Sequence, residues 1–383
     1  MTTSTFGDIE TLTDVPLAPH TTLGVGGPAR WWARATDTEQ LRTLLRIAHE
    51  RELATYVLGG GSNVLISDQG FDGLVLGLDD TRLELSGSGP DHVDVDAGAG
   101  IEWDSLVARC VEAGLGGLEC LSGIPGRVGA APMQNIGAYG QEVAETIHHV
   151  DVVDRQTLDA RVIPADACGF AYRNSHFKGS WRDRFVITRV RFRLPRRTLG
   201  TVRYAELMRR LDVEANGPRP SLATVREAVL AIRREKSMVI DPSDANSRSA
   251  GSFFVNPVVD PEHAETIRRT LETRGVPRPL PTYPAGDRVK IPAAFLIEAA
   301  GFTKGHQHGR AGLSSRHVLA LINRGGATAT ELVELAAAIR SRVAELFTVT
   351  LRPEPLFVGF TADATQVLDA VDSSSVANRH GIS

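Results

Sequence analysis

The 383-residue sequence lacks the features that mark secreted, membrane-spanning and nucleic-acid-binding proteins. Its three cysteines form no CxxC pair, which indicates reduced thiols. No run of about 18 apolar residues and no basic, apolar leader occurs, so neither a membrane span nor secretion is expected. A net charge of −4 gives no excess of positive charge for binding nucleic-acid phosphates. We therefore expect a cytoplasmic protein without a membrane or nucleic-acid partner.

Helix and strand patterns follow each other along the chain without an internal repeat. Apolar residues at helical spacing predict helices at 36–51, 103–111, 222–234, 261–274, 292–300 and 330–346. Short apolar or alternating runs predict strands at 56–58, 64–66, 74–76, 93–97, 150–153 and 186–194, with a final strand in two parts, 347–351 and 356–360. The polar start and the end of the chain are expected to be solvated and frayed. The mixture predicts an α+β protein.

Glycine is in excess, and it is concentrated in one part of the chain. Of 37 glycines, 18 lie between Gly59 and Gly140. The first run, Gly59-Gly60-Gly61-Ser62-Asn63, stands between two short predicted strands. Successive N–H groups of such a run can point into one concavity and bind a pyrophosphate. A tight turn between two strands is an equally consistent interpretation.

The second glycine run, residues 122–140, has almost no amphipathic period. It holds five glycines and two prolines in 19 residues, together with Gln134 and Asn135. Bare backbone of this kind is entropically costly unless it contacts something. It therefore predicts a ligand surface, with a structural glycine hinge as the alternative. The two runs together suffice to cover the pyrophosphate and the ring of one dinucleotide.

Five motifs occur in the order seen in the UDP-N-acetylenolpyruvoylglucosamine reductase family, which the sequence resembles from about Thr21 to Gly359. They are Leu58-Gly-Gly-Gly-Ser-Asn63, Gly123-Ile-Pro-Gly-Arg-Val-Gly129 with Gln134-Asn-Ile-Gly-Ala-Tyr139, Tyr172-Arg-Asn-Ser-His-Phe-Lys178, Ala250-Gly-Ser-Phe-Phe-Val-Asn-Pro257 and Arg352-Pro-Glu354. The segment Tyr204-Ala-Glu-Leu207 resembles the tyrosine-bearing loop of the family's longer type.

The resemblance implies a fold and a division into domains. The fold is an α+β, FAD-binding fold of the vanillyl-alcohol oxidase type with a smaller substrate-binding domain. Two FAD-binding subdomains are expected at 19–80 and 81–216, the first completed by a C-terminal strand in 347–360. The substrate-binding domain is expected at 218–346, after the breaker Gly217-Pro218-Arg219-Pro220. A polar lead-in, 1–18, and a tail, 361–383, complete the chain.

The activity that the resemblance implies is the reduction of UDP-N-acetylglucosamine enolpyruvate to UDP-N-acetylmuramate. NADPH gives a hydride to N5 of a non-covalent FAD, the flavin passes it to the enolpyruvyl group, and a serine protonates the resulting carbanion. The step supplies peptidoglycan precursors, and through them cell-wall formation, cell shape and division. The enzyme is expected to be a cytoplasmic monomer.

Three residues match the family's catalytic positions. Arg173 would stabilise the negative charge on the carboxylate-bearing fragment, because a planar guanidinium pairs with a carboxylate at two points. Ser252 would deliver the proton to the inner carbon. Glu354, held between two prolines, would orient and stabilise the intermediate with Arg173. By composition alone these could be a surface arginine, a turn-capping serine and an edge-strand glutamate.

The resemblance also assigns binding residues. The FAD positions are Gly59, Gly60, Gly61, Ser62, Asn63, Pro125, Gly126, Gly129, Asn135, Gly137, Ala138 and Tyr139. The UDP-sugar positions are Tyr139, Tyr204, Lys236 and Asn256. Lys236 is one of only four lysines in the chain, so its match to the family's diphosphate-binding lysine carries weight.

Other functions remain open on the sequence alone. A different FAD-linked oxidase or dehydrogenase on the same fold is one alternative, and a flavin-binding module without catalysis is another. His306, His308 and His317 lack a carboxylate or cysteine partner at ligand spacing, so no metal is expected.

Overall fold

A computed structural model describes residues 2–87, 89–214 and 217–379, with side chains through Val371. Its helices are α1 Thr38–Glu50, α2 Trp103–Glu112, α3 Ala205–Leu211, α4 Leu222–Glu235, α5 Pro261–Thr273, α6 Ala293–Ala299, α7 Ala329–Phe347 and α8 Ala364–Arg379. The six predicted helices are confirmed to within two residues at each end, while α3 and α8 were not predicted. No helix in the described ranges is long and apolar enough to cross a bilayer.

The strands in the described ranges run from two to eleven residues, and the predicted ones are confirmed except the one over 347–351. They are β1 Thr3–Phe6, β2 Ile9–Pro16, β3 Pro28–Ala35, β4 Ala54–Val57, β5 Val64–Ile66, β6 Phe71–Leu78, β7 Leu83–Gly87, β8 His92–Gly98, β9 Gly137–Ala138, β10 Gln141–Glu142, β11 Ile147–Asp154, β12 Ala160–Pro164, β13 Phe185–Pro195, β14 Val258–Val259, β15 Tyr283–Ala285, β16 Arg288–Lys290, β17 Gln307–His308, β18 Ala311–Leu313, β19 Leu321–Asn323 and β20 Leu356–Val358.

The chain divides into two compact units. The first comprises residues 1–15, 29–61 and 72–239, and the second comprises residues 16–28, 62–71 and 240–383. The first unit has a separate hydrophobic cluster on each of its two main sheets, and the second unit has a core of its own.

Two five-stranded sheets form the body of the first unit. One has the order β1-β2-β3-β6-β4 and packs against α1, whose apolar stripe Leu41, Leu44, Leu45 and Ala48 is buried. The other has the order β12-β11-β13-β8-β7 and packs against α2, where Trp103 and Phe192 meet edge to face. The alternation of β13 places Val190, Phe192 and Leu194 in the core.

Helix α4 belongs to the first unit, so the observed boundary at Val239 differs from the one predicted at Gly217. The apolar face of α4 packs with Leu207 and Cys120 into a small core of the first unit. The breaker cluster interrupts regular secondary structure. Helix α4 nevertheless stays in the first unit, because its apolar face is buried against the preceding residues.

The second unit is built around α7, whose buried face runs from Leu332 to Phe347. A capping box starts the helix, because Thr328 accepts from the Glu331 amide and Glu331 accepts from the Thr328 amide. Phe253, Phe254 and Leu351 pack against the same core. Strand β20 pairs in parallel with β5, which joins the end of the chain to residues 62–71 within this unit.

Both chain ends differ from the expected lead-in and tail. Strands β1 and β2 form an antiparallel hairpin, and Phe6 is fully buried against α1, because a polar run can still bury its inward residues. Helix α8 packs on α7 and buries Leu368. The end of the described chain therefore contributes to the second core.

The predicted strand over 347–351 is wrong. Phe347 ends α7, and Thr348 follows it with a positive φ of 56°. The two prolines around Glu354 cannot donate to a sheet ladder, so regular pairing begins only at Leu356.

Candidate active site

The two glycine runs touch each other through bare backbone in the first unit. A Cβ added to Gly60 would lie 2.6 Å from Cα of Gly126. In the parts of the chain that the structure describes, the amide N–H groups of Gly59, Gly60 and Gly126 donate to no acceptor. Three amides on adjoining loops, none paired with an acceptor among the described residues, can together bind an anion. The diphosphate of a dinucleotide fits this donor set.

The second run is fixed along residues 99–103 by backbone hydrogen bonds. Trp103 N–H donates to Gly126 O at 3.0 Å, Val128 N–H to Ile101 O at 2.9 Å and Gly129 N–H to Ala99 O at 3.0 Å. A Cβ at Gly129 would lie 2.6 Å from that of Ala99. Gly129 therefore allows this loop to pack closely against Ala99. Its predicted contact with FAD stays a prediction.

The side chain of Asn135 joins the second run to neighbouring segments by hydrogen bonds. Asn135 has a positive φ of 47°, and its buried amide group donates to Glu142 Oε2 at 2.7 Å and to Ala171 O at 3.1 Å. Its Oδ1 accepts from the Ala144 amide at 3.0 Å. Its backbone N–H donates to Pro132 O at 3.2 Å, and its predicted contact with FAD stays a prediction. The side-chain bonds also tie the loop to the turn that carries Arg173.

Arg173 occupies a strained turn. Ala171 and Asn174 exchange two backbone hydrogen bonds of 3.0 Å, which leaves Tyr172 and Arg173 at the tip. Arg173 has a φ of 53°, where glycine is the usual residue. Ser175, in the same motif, donates to Met133 O at 2.6 Å and holds the turn against the second glycine run. Strain of this kind is typical of functional sites.

Tyr139, Tyr204 and Lys236 lie close together in the first unit. The rings of Tyr139 and Tyr204 meet edge to face, with their centroids 5.7 Å apart. Lys236 Nζ is 2.7 Å from Oε2 of Glu206, two residues after Tyr204. Burial raises the pKa of Tyr139 to about 12, although Arg233 opposes the shift. Tyr139 is therefore a neutral hydroxyl at physiological pH.

Arg233 was not predicted as a site residue from the sequence, and it is only 8% exposed. It donates to Met238 O at 3.0 Å and its charge interacts with Tyr139, while its buried Nε has no partner among the described residues. Burial lowers the pKa of Arg233, and the nearby charge of Arg173 acts in the same direction. An available signal was an arginine on the buried face of α4, one residue after Ile232.

Asp104 links the second run to two helices. It lies in the first turn of α2, accepts from the Gly123 amide at 2.6 Å and pairs at two points with Arg226 of α4. Burial alone would raise the pKa of Asp104, but the hydrogen bonds from Arg226 and Gly123 outweigh it and lower the pKa.

Ser252 and Glu354 lie on paired segments in the second unit. Glu354 N–H donates to Phe253 O at 2.8 Å, and Val255 N–H donates to Arg352 O at 3.0 Å. Asn63 makes hydrogen bonds to the backbone on both sides of the segment 354–356. Its side-chain amide donates to Glu354 O at 3.4 Å, and its backbone carbonyl accepts from Leu356 N–H at 3.0 Å. The structure therefore brings two of the three predicted catalytic residues together, and Arg173 belongs to the other unit.

The remaining predicted residues occupy loops and short strands. Asn256 Oδ1 accepts from the Ala293 amide at 2.9 Å and so caps α6. Gly137 and Ala138 form β9, and Tyr139 follows with a positive φ of 49°. Gly61 also has a positive φ, of 63°, and Ser62 begins the second unit's segment 62–71. Pro125 precedes Gly126 in the second run. No cluster of metal-ligating side chains occurs in the described ranges.

Comparison with known proteins decides the family. A model of the UDP-N-acetylenolpyruvoylglucosamine reductase C-terminal domain matches residues 241–358, and an FAD binding domain model matches residues 30–157. A UDP-N-acetylenolpyruvoylglucosamine reductase of Thermobifida fusca is 49% identical over 351 residues, covering 91% of this chain and 98% of the relative. One of Saccharopolyspora erythraea is 48% identical over 349 residues, covering 89% and 94%. This chain belongs to the UDP-N-acetylenolpyruvoylglucosamine reductase family.

A solved structure supports the same assignment for the fold. The UDP-N-acetylenolpyruvylglucosamine reductase of Thermus caldophilus is 27% identical and aligns with a TM-score of 0.61 over 91% of this chain and 98% of that chain. The predicted family and the predicted α+β flavoprotein fold of the vanillyl-alcohol oxidase type are confirmed. The predicted FAD cofactor agrees with the FAD binding domain that residues 30–157 match. The reductase C-terminal domain begins at residue 241, next to the boundary at Val239.

Backbone strain at Arg173 can be separated from the role of its side chain. We expect Arg173→Gly to be more stable than Arg173→Ala by about 1 kcal/mol, because glycine adopts positive φ without strain. Both variants should lose sugar reduction. Urea unfolding and turnover measure the two effects.

The matched control is Glu52, an exposed residue with the same φ of 53°. Its glycine and alanine variants should show the same stability difference with full activity. Equal stability of the two Arg173 variants would refute the strain, and full turnover in either would refute the catalytic assignment.

The Asp104 ion pair should make stability depend on pH. Because the folded-state pKa is lowered, the pair stabilises the reductase above the unfolded pKa of about 3.9, and this stabilisation is lost as pH falls through the folded pKa. We expect Asp104→Asn to lower stability by about 2 kcal/mol at neutral pH. The difference in Tm from the parent should shrink below about pH 4.

Asp72→Asn is the control, because Asp72 is 86% exposed in its pair with Arg30 and should contribute little at any pH. A difference in Tm for Asp104→Asn that stays constant from neutral pH to pH 3 would contradict this assignment of the carboxylate.

Proposed function

We propose that this chain reduces UDP-N-acetylglucosamine enolpyruvate to UDP-N-acetylmuramate with NADPH, using one non-covalently bound FAD, in the synthesis of peptidoglycan precursors. Membership of the reductase family at 49% identity gives the reaction. The structural observation that supports FAD binding is that the amides of Gly59, Gly60 and Gly126 have no acceptor among the described residues. These amides would hold the FAD diphosphate.

The chemistry divides between the cofactor and the protein. FAD, when bound, relays a hydride from NADPH to the terminal carbon of the enolpyruvyl group. The chain's own residues must hold the substrate, stabilise negative charge beside its carboxylate and supply one proton to the inner carbon.

Backbone hydrogen bonds on both sides of Ser252 support its proposed role as the proton donor. Gly251 N–H donates to Ser249 Oγ at 3.2 Å on one side. On the other side the fully buried Phe253 donates to Leu319 O and accepts from Glu354 N–H, both at 2.8 Å. A hydroxyl is a weak acid, but a carbanion beside a carboxylate is a strong base, so a fixed donor suffices. Its position also decides which face receives the proton.

Arg173 and Arg233 supply positive charge in the first unit. The planar guanidinium of Arg173 suits two-point pairing with the substrate's carboxylate, while the buried Nε of Arg233 retains an unused donor beside Tyr139. Lys236, held by Glu206, would bind the diphosphate of the UDP group near Tyr204. Glu354 would orient the intermediate, and Asn256 would line the sugar site. We propose that the enzyme is a monomer in the cytoplasm and has no nucleic-acid partner.

Two anaerobic half-reactions test the function. The purified chain should be yellow, release FAD on denaturation, bleach with NADPH and regain its colour with the UDP-enolpyruvyl sugar. Recovery of colour with oxygen but not with the sugar would indicate another FAD-linked oxidase. A chain that binds FAD but does not bleach would be a module without catalysis.

Ser252→Ala should separate the two half-reactions. Bleaching by NADPH should be retained, while recolouring by the sugar should slow by about a hundredfold or more, because the proton donor is missing. Stopped-flow absorbance of the flavin measures both rates. Ser243→Ala, in an exposed loop of the same unit, is the control and should leave both unchanged. An equal loss of both rates in Ser252→Ala would contradict the proton-donor role.

A further inference from the structure

Glu119 is a fully buried carboxylate that the reaction described above does not use. Its Oε2 accepts from the Gly117 amide at 2.6 Å, and its Oε1 accepts from the Thr201 amide at 3.0 Å. The guanidinium of Arg197 lies 3.6 Å from Oε1. A buried carboxylate is costly unless its oxygens are satisfied, and here two backbone donors and one cation satisfy them.

The next residue, Cys120, holds a second segment. Its amide donates to Gln141 Oε1 at 2.9 Å, and its thiol contacts Thr201 O at 3.4 Å. The dipeptide Glu119-Cys120 therefore holds Thr201, three residues before Tyr204, and Gln141, two residues after Tyr139. Gln141 is 5% exposed, so this hydrogen bond is shielded from water.

The two held segments meet at the tyrosine pair. A Cβ at Gly140 would lie 3.3 Å from Cβ of Arg203, and Arg203 pairs with Glu145 at 3.2 Å. The rings of Tyr139 and Tyr204 are in edge-to-face contact, although Tyr204 is 48% exposed. The hydrogen bonds to Thr201 and Gln141 therefore help to fix the backbone beneath the two rings.

The geometry points to Glu119 as a positioning residue for the Tyr139–Tyr204 pair, and we propose that it sets the affinity for the UDP-sugar through that pair. The inference rests on the proposed function, in which both tyrosines contact the sugar nucleotide. Glu119 touches neither substrate nor cofactor in this account. It acts by fixing Thr201 and, through Cys120, Gln141.

Glu119→Gln keeps the size of the side chain but replaces one accepting oxygen with a donor, so one backbone amide loses its partner. We expect KM for the UDP-sugar to rise about tenfold with kcat changed less than about twofold. FAD content should stay at the parent value. Gln141→Met, which removes the acceptor for Cys120 N–H, should shift KM in the same direction and serves if Glu119→Gln fails to fold.

A double-mutant cycle with Tyr204→Ala identifies the route of the effect. If Glu119 acts through Tyr204, the rise in KM in the double variant should be clearly smaller than the product of the two single effects. Multiplying effects would overturn the proposal, as would an unchanged KM in Glu119→Gln.

Glu331→Gln is the matched control. Its carboxylate also accepts from two backbone amides, those of Arg310 and Thr328, each at 2.9 Å, but in the second unit. This variant should leave KM unchanged, and an equal rise in KM there would overturn the specific role of Glu119. A parent chain unable to reduce the sugar would instead refute the proposed function, so the two failures are distinguishable.

Discussion

The backbone contact between Gly60 and Gly126 is the constraint on which the candidate site depends. No side chain fits between the two loops, since even a Cβ at Gly60 would lie 2.6 Å from the facing Cα. The contact places on adjoining loops three amides that have no acceptor in the described part of the chain. Glycine here does more than permit unusual torsion angles, because it allows the approach that gathers the donors.

Hydrogen bonds extend from this contact to the charged residues of the first unit. Asp104 fixes Gly123 at the start of the second run, and Asn135 and Ser175 hold the turn of Arg173 against it. Glu119 and Gln141 hold the segments that carry the two tyrosines. Each polar group is satisfied by a partner far away in the sequence, so the site is a property of the packed unit. In the second unit, the pairing of residues 253–255 with 352–354 does the same for Ser252 and Glu354.

Local sequence patterns were sufficient to predict many helices and strands of this structure. Helices such as α1 and α7 repeat apolar residues every three or four positions, and the glycine runs are visible in composition. The resemblance to the reductase family identified the candidate catalytic positions. The hairpin of β1 and β2 was missed because its residues are mostly polar, and only a few inward ones, such as Phe6, are buried.

Buried charges were harder to predict than buried apolar residues. Glu119 and Arg233 look like surface residues in the sequence, because the partners that compensate their burial lie elsewhere. Thr201 is 82 residues from Glu119, and Tyr139 is likewise remote from Arg233. The boundary at Val239 was missed for a related reason, since it depends on which core α4 packs against.

The affinity of Gly60→Ala for FAD shows whether the two touching loops form the diphosphate site. The control is Gly87→Ala, whose added Cβ would meet nothing within 4 Å. Titration of the flavin-free chains, with circular dichroism to verify folding, should show parent-like binding for Gly87→Ala. Binding to Gly60→Ala should be at least about tenfold weaker, a loss of about 1.4 kcal/mol. Parent-like FAD affinity in a folded Gly60→Ala chain would contradict the claim that the two touching loops form the diphosphate site.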